Sequence, residues 1–578
     1  MRRLSVCASI IALFFLSCGK DDIASGDGSV YLDELEANSE DDNVDEVDFV
    51  RTIGIQWSSS GASVTGDEKG IVKVSGSFVT ADNRGSGEKV IYELSGSSSD
   101  GYFKVYSDNK QEIVLNSLSL TNTRGAAINN QGKKSCFVAV NGTNILGDGS
   151  TYSLTPSDED EKAVFFSEGQ LIFSGEGSLT VNATGKSGIV SDDYLRVMGN
   201  PSISVTAGSS AGHGIRGKEY VQISGGTISV STSAPMKKGI GSDVFVLVEG
   251  GTVDINVSGG VGYEDNEYKG TAGIRADNFF AMTGGTVTIR NTGTGGKGVS
   301  AGSYDFDSVN HTVSDSYISG GTLNITTSGS ESNDVSSKGI KIGWVTKNGS
   351  GDRATVTGNA GNLIISGGSV TVSSSKSEAI EAKGSLTISG GSVYAYSTGD
   401  DAINSQGEMN ITGGYVFAHS TQNDGIDSNK NLNLSGGYVF AITTKGSPEV
   451  ALDACEGYTL SIKKGAVLVS YGGLERGYSA EQSIYSMSCT AGSWNALYDG
   501  SSYLAAFKAP SGVSSLVVSA PSLSKGFKGV SVNGNALCNG IWAVEGVSGG
   551  TEVSLSGYSG GSGGGPGGGG PGGGGRPW

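Results

Sequence analysis

Four pairs of acidic residues recur at near-constant intervals in the downstream half of the chain: Glu378 and Glu381, Asp400 and Asp401, Asp424 and Asp427, and Glu449 and Asp453. If the segments carrying them stack as neighbouring strands about 4.8 Å apart, several carboxylates come within about 5–7 Å of one another. Bare carboxylates at that separation repel and raise one another's pKa, and an oxygen-seeking divalent cation is the natural relief. Calcium, with its typical about six to eight oxygen ligands, suits such a row better than zinc, because Asn404 and nearby carbonyls can complete the shell. The alternative is a row of solvated acids at strand ends. Equivalent upstream positions such as Gly188-Ile189 and Gly214-Ile215 lack the acids.

Any proton abstraction from a ligand held by such a cation would also need a base beside it. Lys383 is the basic residue on or next to the acid-bearing strands, with Lys430 and Lys445 in nearby loops. No context fixes any of them as a base. Ligand binding without turnover is therefore the favoured reading of this row.

A second candidate surface is aromatic. If Val393, Val416 and Val439 point inward, strand alternation sends Tyr394, Phe417 and Phe440 outward, together with Tyr396, Tyr415 and Tyr438. Rings spaced along a line could stack on successive sugars. The other reading is that the C-terminal segment folds back over them. Among the loops, Glu264, Asp265, Glu267, Asp305 and Asp307 form a weaker candidate for a further cation.

What must position these groups is a repeat. Gly-Gly pairs at Gly367, Gly390, Gly413 and Gly436 recur with a step of 23 residues, each opening an alternating strand such as GGSVYAY or GGYVFAH. Within one period three short alternating runs are separated by Gly, Ser and Asp, which describes one three-strand coil of a parallel β-helix. A second phased column runs from Ile128 through Ile189, Ile215, Ile240, Ile274, Val299, Ile340, Ile380, Ile403 and Ile426 to Leu452. With a further copy at Val164 this makes about twelve coils. No coil can bury its own apolar side, so stacking supplies the core.

Composition agrees with an all-β chain: 96 Gly and 9 Pro in 578 residues, 36% hydrophobic and 17% charged. Residues 49–120 are expected to form an N-terminal β cap and first coils, 121–475 the β-helix, and 480–557 a small C-terminal β domain. Residues 558–578 are Gly/Pro-rich low complexity, without the apolar content for a core.

Residues 1–18 read as a signal peptide ending in Leu16-Ser17-Cys18, similar to a bacterial lipobox, with Cys18 as the lipidated residue. Lys20-Asp21-Asp22 resembles the surface-export signal of Bacteroidetes lipoproteins. The expected location is the bacterial outer membrane, cell-surface exposed, with the membrane contacted through the lipid. Residues 19–48 hold twelve acids against one Lys and are expected to stay solvated as a tether. They supply eleven of the chain's nineteen net negative charges, and this balance argues against a nucleic-acid partner. Cys136, Cys455, Cys489 and Cys538 show no metal spacing, and Cys489 with Cys538 is the most plausible disulfide pair. His213, His311 and His419 are too scattered for a histidine metal site.

The phased GGxVxV strands, the D-[DG]-[AG]-I-[DEN] segments, the lipobox and the Gly-rich tail together resemble the secreted bacterial carbohydrate-binding β-helix lipoproteins, whose fold is similar to that of family nine pectate lyases. The resemblance covers roughly residues 90–475 and is most specific over 379–454. It implies a right-handed, single-stranded parallel β-helix, calcium held by acids of adjacent coils, and a polysaccharide partner of the polygalacturonate type, with cellulose as a second candidate. Carried over by position, the calcium acids would be Asp400, Asp401, Asp424 and Asp427, with Glu378, Glu381 and Asp453 as neighbours. The chain is expected to act as a monomer. The alternative that the resemblance leaves is a calcium-dependent, pectate-like polysaccharide lyase with Lys383 as its base, and a structural or adhesive surface rod, dependent on its caps and loops, is a further one.

Overall fold

The computed structural model describes residues 41–308, 312–348 and 355–560, together with Leu35 and Asn38. The expected signal peptide, Cys18, Lys20-Asp21-Asp22, His311 and residues 561–578 of the tail lie outside the described residues. Stacked coils dominate what is described. The coil Ile380–Ala382, Leu386–Ile388, Ser392–Ser397 pairs in parallel with Ile403–Ser405, Met409–Ile411, Tyr415–Ser420, and that one with Ile426–Ser428, Leu432–Leu434, Tyr438–Thr443. The first strand of each coil joins a 15-stranded sheet, and the other two enter a 32-stranded sheet. The protein is thus almost entirely β, with long parallel ladders of the β-helix kind.

The inward columns are those the period predicts. Ile380, Ile403, Ile426 and Leu452 are register neighbours and fully buried, as are Ile388, Ile411 and Leu434, and Val393, Val416 and Val439. One copy is shifted: Phe165, not Val164, pairs with Ile128 and Ile189. The strand Ala163–Ser167 is buried along its whole length, so alternation there carries no phase.

The Gly-Gly corners are steric requirements. Gly391 has φ +73°, and a Cβ there would lie 2.6 Å from the Gly367 carbonyl carbon of the coil below. Gly391→Ala combines left-handed strain with a backbone clash, and is expected to lower stability in urea melts by more than about 1 kcal/mol.

At the N-terminal end Arg51–Ser58 pairs in parallel with Val90–Ser98, and antiparallel with Gly61–Thr65. The acidic segment is not solvated throughout. Asp42 is buried and pairs with Arg196 at 2.7 Å, while also accepting from Tyr194 Oη at 3.0 Å. Leu35, Val44, Val47 and Phe49 pack on the stacked rings Tyr194, Tyr220, Phe245 and Phe279. An interleaved apolar residue every few positions lets this charged stretch dock, which its net charge concealed.

At the other end, Trp494–Tyr498, Tyr503–Lys508, Lys525–Lys528, Trp542–Ala543 and Thr551–Val553 form a five-stranded antiparallel sheet. Ser515–Ser519 links this region to the solenoid by pairing antiparallel with Val467–Tyr471.

Candidate functional site

Each of the strands Ile380–Ala382, Ile403–Ser405 and Ile426–Ser428 is buried along its whole length, with its first side chain in the apolar core and strand alternation setting the middle one on the opposite, outward face. The outward column runs Glu381, Asn404, Asp427, Asp453 in direct register. Asp400, Asp401 and Asp424 stand in the turns that lead into these strands. Asp401 Oδ1 accepts from the Asp424 amide at 2.9 Å, and Asn404 Nδ2 donates to Asp427 Oδ2 at 2.7 Å and to Asp401 Oδ2 at 3.3 Å. Asp424 Oδ1 accepts from the Val450 amide at 2.6 Å, and Asp400 Oδ1 from Asn423 Nδ2 at 2.7 Å. The coils therefore bring Asp400, Asp401, Asp424, Asp427 and Asp453 into one row.

Burial and mutual repulsion act on this row together. Asp401, Asp424 and Asp427 are 3%, 8% and 6% exposed. Burial, then the charges of Asp427, Asp400 and Asp424, pushes the Asp401 carboxyl well above the usual range. Burial with Asp427 beside it raises Asp424 to about 8, and burial raises Asp427 to about 7 against the help of its hydrogen bonds. Asp453 is pushed to about 9 by burial, by its hydrogen bond with Glu475 and by Asp427. No Lys or Arg among the described residues forms an ion pair with any of the five aspartates.

Glu378 and Glu381, expected as neighbours of the same site, belong to a different group. Lys338 Nζ lies 2.8 Å from Glu378 Oε1 and 2.7 Å from Glu381 Oε2, and Lys383 pairs with Glu381. Although burial works in the opposite direction, Lys338 and Lys383 hold the Glu381 carboxyl well below its ordinary range. These two glutamates already have their counter-charge. Lys383 is itself buried and committed to Glu381, which removes it from the role of a free base. Lys338 is separated from Glu378 by 40 residues that include an inserted hairpin, Trp344–Asn348 with Thr355–Ala360, so constant spacing could not reveal the pair.

The aromatic ladder is stacked as expected but is not a free platform. Tyr394 stacks on Phe417 at 5.0 Å and Tyr415 on Tyr438 at 4.9 Å. Phe417 and Phe440 are buried, and Trp542 and Phe507 of the C-terminal sheet cover them, with Phe440 to Phe507 at 5.6 Å and Tyr438 to Trp542 at 5.7 Å. Trp542 Nε1 donates to the Val416 carbonyl at 3.2 Å, closing the interface. Tyr394, Tyr415, Phe417, Tyr438 and Phe440 thus form an internal docking face. Tyr396 is half-buried at its edge, 5.1 Å from His419.

The remaining expectations separate. Asp265 and Glu267 share Lys269, at 2.9 and 3.2 Å, while Asp305 and Asp307 belong to a different loop, on the short helix Tyr304–Ser308. Among the described residues, the one group of three acids with oxygens mutually within 4.8 Å is Asp160, Glu168 and Asp192, and Lys162 pairs with both aspartates. All four described cysteines are free, so Cys489 and Cys538 are not bridged. Cys538 Sγ donates instead to the Val393 carbonyl at 3.2 Å and Cys489 Sγ to Val513 at 3.4 Å.

A family model described as carbohydrate-binding domain-containing protein matches residues 75–423 and 349–501. The chain belongs to this family. A carbohydrate-binding domain-containing protein of Acetivibrio thermocellus is 31% identical over 122 residues, 20% of this chain and 42% of that relative. The match thus spans less than half of the relative's length. A solved structure of the polysaccharide lyase-like protein from C. thermocellum, a gadolinium derivative, aligns with 44% of this chain and 95% of its own at 22% identity, with a TM-score of 0.35.

In this carbohydrate-binding domain protein the outward column that ends in acids begins with bases, which the spacing argument overlooked. Arg275, Ser300, Lys341 and Glu381 are successive register partners. The signal was present: the residue after the column position is basic in GIRG, GIRA and GIKI.

Proposed function

We propose that this carbohydrate-binding domain protein is a bacterial surface lipoprotein, anchored through Cys18, that binds acidic polysaccharide of the polygalacturonate type through calcium. The observation that carries this reading is the row of buried aspartates without a basic partner among the described residues. Carboxylates this dry, in neighbouring coils and without a counter-charge, retain their protons or take up a cation. A hard, oxygen-seeking divalent ion fits the donor set, with Asp401, Asp424 and Asp427 as its holders, Asn404 as a neutral donor and Asp400 and Asp453 at the margins. No three of these acids share oxygens within 4.8 Å, so part of the shell must come from Asn404, backbone carbonyls, water or a sugar carboxylate. That incompleteness suits a cation shared with a uronate.

Calcium would supply the link between fixed carboxylates and the sugar acid. The protein's own groups bind and orient. The pairing of Lys383 with Glu381 supports binding without turnover over the lyase alternative. In affinity electrophoresis, polygalacturonate is expected to retard the protein with calcium, and the Asp401→Asn/Asp427→Asn variant is expected to lose that calcium-dependent retardation. Equal retardation of both proteins, or of wild type with and without chelator, would remove the calcium reading. Unsaturated uronate absorbance is expected to stay flat in the same mixtures.

A further inference from the structure

The sheet face that carries the aspartates changes sign upstream. Lys297 and Lys338, the first residues of Lys297–Ala301 and Lys338–Ile342, are register partners, and Lys341 stands outward on the second strand. Lys338 is satisfied by Glu378 and Glu381, and Arg275 by Asp277 at 2.8 Å. Lys297 and Lys341 are not. Lys297 Nζ donates to the Gly295 carbonyl at 3.1 Å and Lys341 Nζ to the Gly343 carbonyl, and neither meets a carboxylate within ion-pair distance among the described residues. Two half-buried amines without an ion-pair partner among the described residues are the inverse of the aspartate row.

The borders of this patch are aromatic. At the entry to Ala272–Ala276 stands the hairpin Gly262–Glu264 with Glu267–Lys269, whose Tyr263 and Tyr268 are 59% and 49% exposed with rings 4.9 Å apart. Past the exits of Lys297–Ala301 and Lys338–Ile342, Tyr304 is 52% exposed and meets Trp344 edge-on at 5.0 Å. Trp344 Nε1 is buried and donates to no partner among the described residues. Basic side chains between amphipathic rings suit an anionic sugar, which needs a counter-charge for its acid group and an apolar face for its ring.

We propose that Lys297 and Lys341 form a metal-free subsite for an acid group of a polysaccharide, a uronate carboxylate or a sulfate ester, on the same sheet face as the aspartate row. This rests on reading that face as the glycan-binding surface. Burial, with Lys338 and Arg275 near, lowers Lys297 to about 8, and burial, with Arg275, Lys383 and Lys297 near and Glu381 opposing, lowers Lys341 to about 7, so an incoming anion favours the charged form of both. A chain lying along the stacked strands would meet direct ion pairing at one end and a shared cation at the other.

The test is binding in the presence of chelator, by affinity electrophoresis with polygalacturonate, fully methyl-esterified polygalacturonate and dextran sulfate. Wild type is expected to keep salt-sensitive binding to a polyanion and none to the ester, and Lys297→Gln/Lys341→Gln to lose about tenfold or more of it. Lys297→Arg/Lys341→Arg is expected to retain binding, with melting curves establishing that both variants fold. Preference for polygalacturonate assigns a carboxylate and preference for dextran sulfate a sulfate; either supports the subsite. Unchanged binding by the Gln variant, or no chelator-resistant binding by wild type, overturns it. Intact calcium-dependent retardation beside chelator-resistant binding that the Gln variant leaves unchanged would sink this subsite alone, and a lysine effect without any calcium effect would sink the calcium reading alone.

Discussion

Trp542→Ala is expected to destabilise the C-terminal sheet by about 3–5 kcal/mol, the range for removing a large buried aromatic. The indole is fully buried, lies 5.7 Å from Tyr438 and 6.2 Å from both Phe440 and Phe507, and makes the sheet's hydrogen bond to the Val416 carbonyl. Truncation leaves a cavity between two packed layers and removes that carbonyl's side-chain donor. The coils below are held by their own parallel ladders and do not depend on this contact. Urea melts should therefore show an early transition confined to the C-terminal region, with increased binding of a hydrophobic dye as Phe417 and Phe440 become accessible. A single transition at the wild-type midpoint would show that the ring does not hold the two layers together.

Glu381→Gln is expected to cost a similar about 3–5 kcal/mol, for an electrostatic reason. Glu381 is 1% exposed and lies between Lys338 and Lys383. The amide matches the carboxylate in size but leaves two buried ammonium groups with Glu378 as their remaining close anion. Removing Lys338 as well takes away one of the two stranded charges and leaves Lys383 with Glu378 as a balanced pair, so Lys338→Met added to Glu381→Gln should cost clearly less than the two single changes together. Additive costs in that double-mutant cycle would mean that the pair is solvated rather than buried.

The sequence displayed whatever repeats within one coil. A 23-residue step from Gly367 to Gly436 determines which side chains stack, so the columns of Ile403, Ile411 and Val416 and the row of Asp401, Asp424 and Asp427 could be read directly. Contacts across irregular insertions could not. Lys338 reaches Glu378 over 40 residues, and the phase of Ala163–Ser167 was hidden by burial on both faces. Docking by non-repeating segments was equally opaque. The Tyr394 to Phe440 ladder has the pattern of a sugar platform, yet Trp542, 126 residues beyond Val416, seals it. Asp42 sits in a run of acids that composition assigns to solvent, while its partner Arg196 lies 154 residues away.

The most direct test of the central claim is a calorimetric titration of calcium into chelator-stripped protein, paired with melting curves. The aspartate row predicts saturable binding that stabilises the fold by about 2.7 kcal/mol when free calcium reaches about one hundred times its Kd. Asp401→Asn/Asp427→Asn should abolish both the heat and the stabilisation. An absence of binding heat in wild type, or the same binding in the variant, would contradict the assignment of the buried aspartates as a cation site.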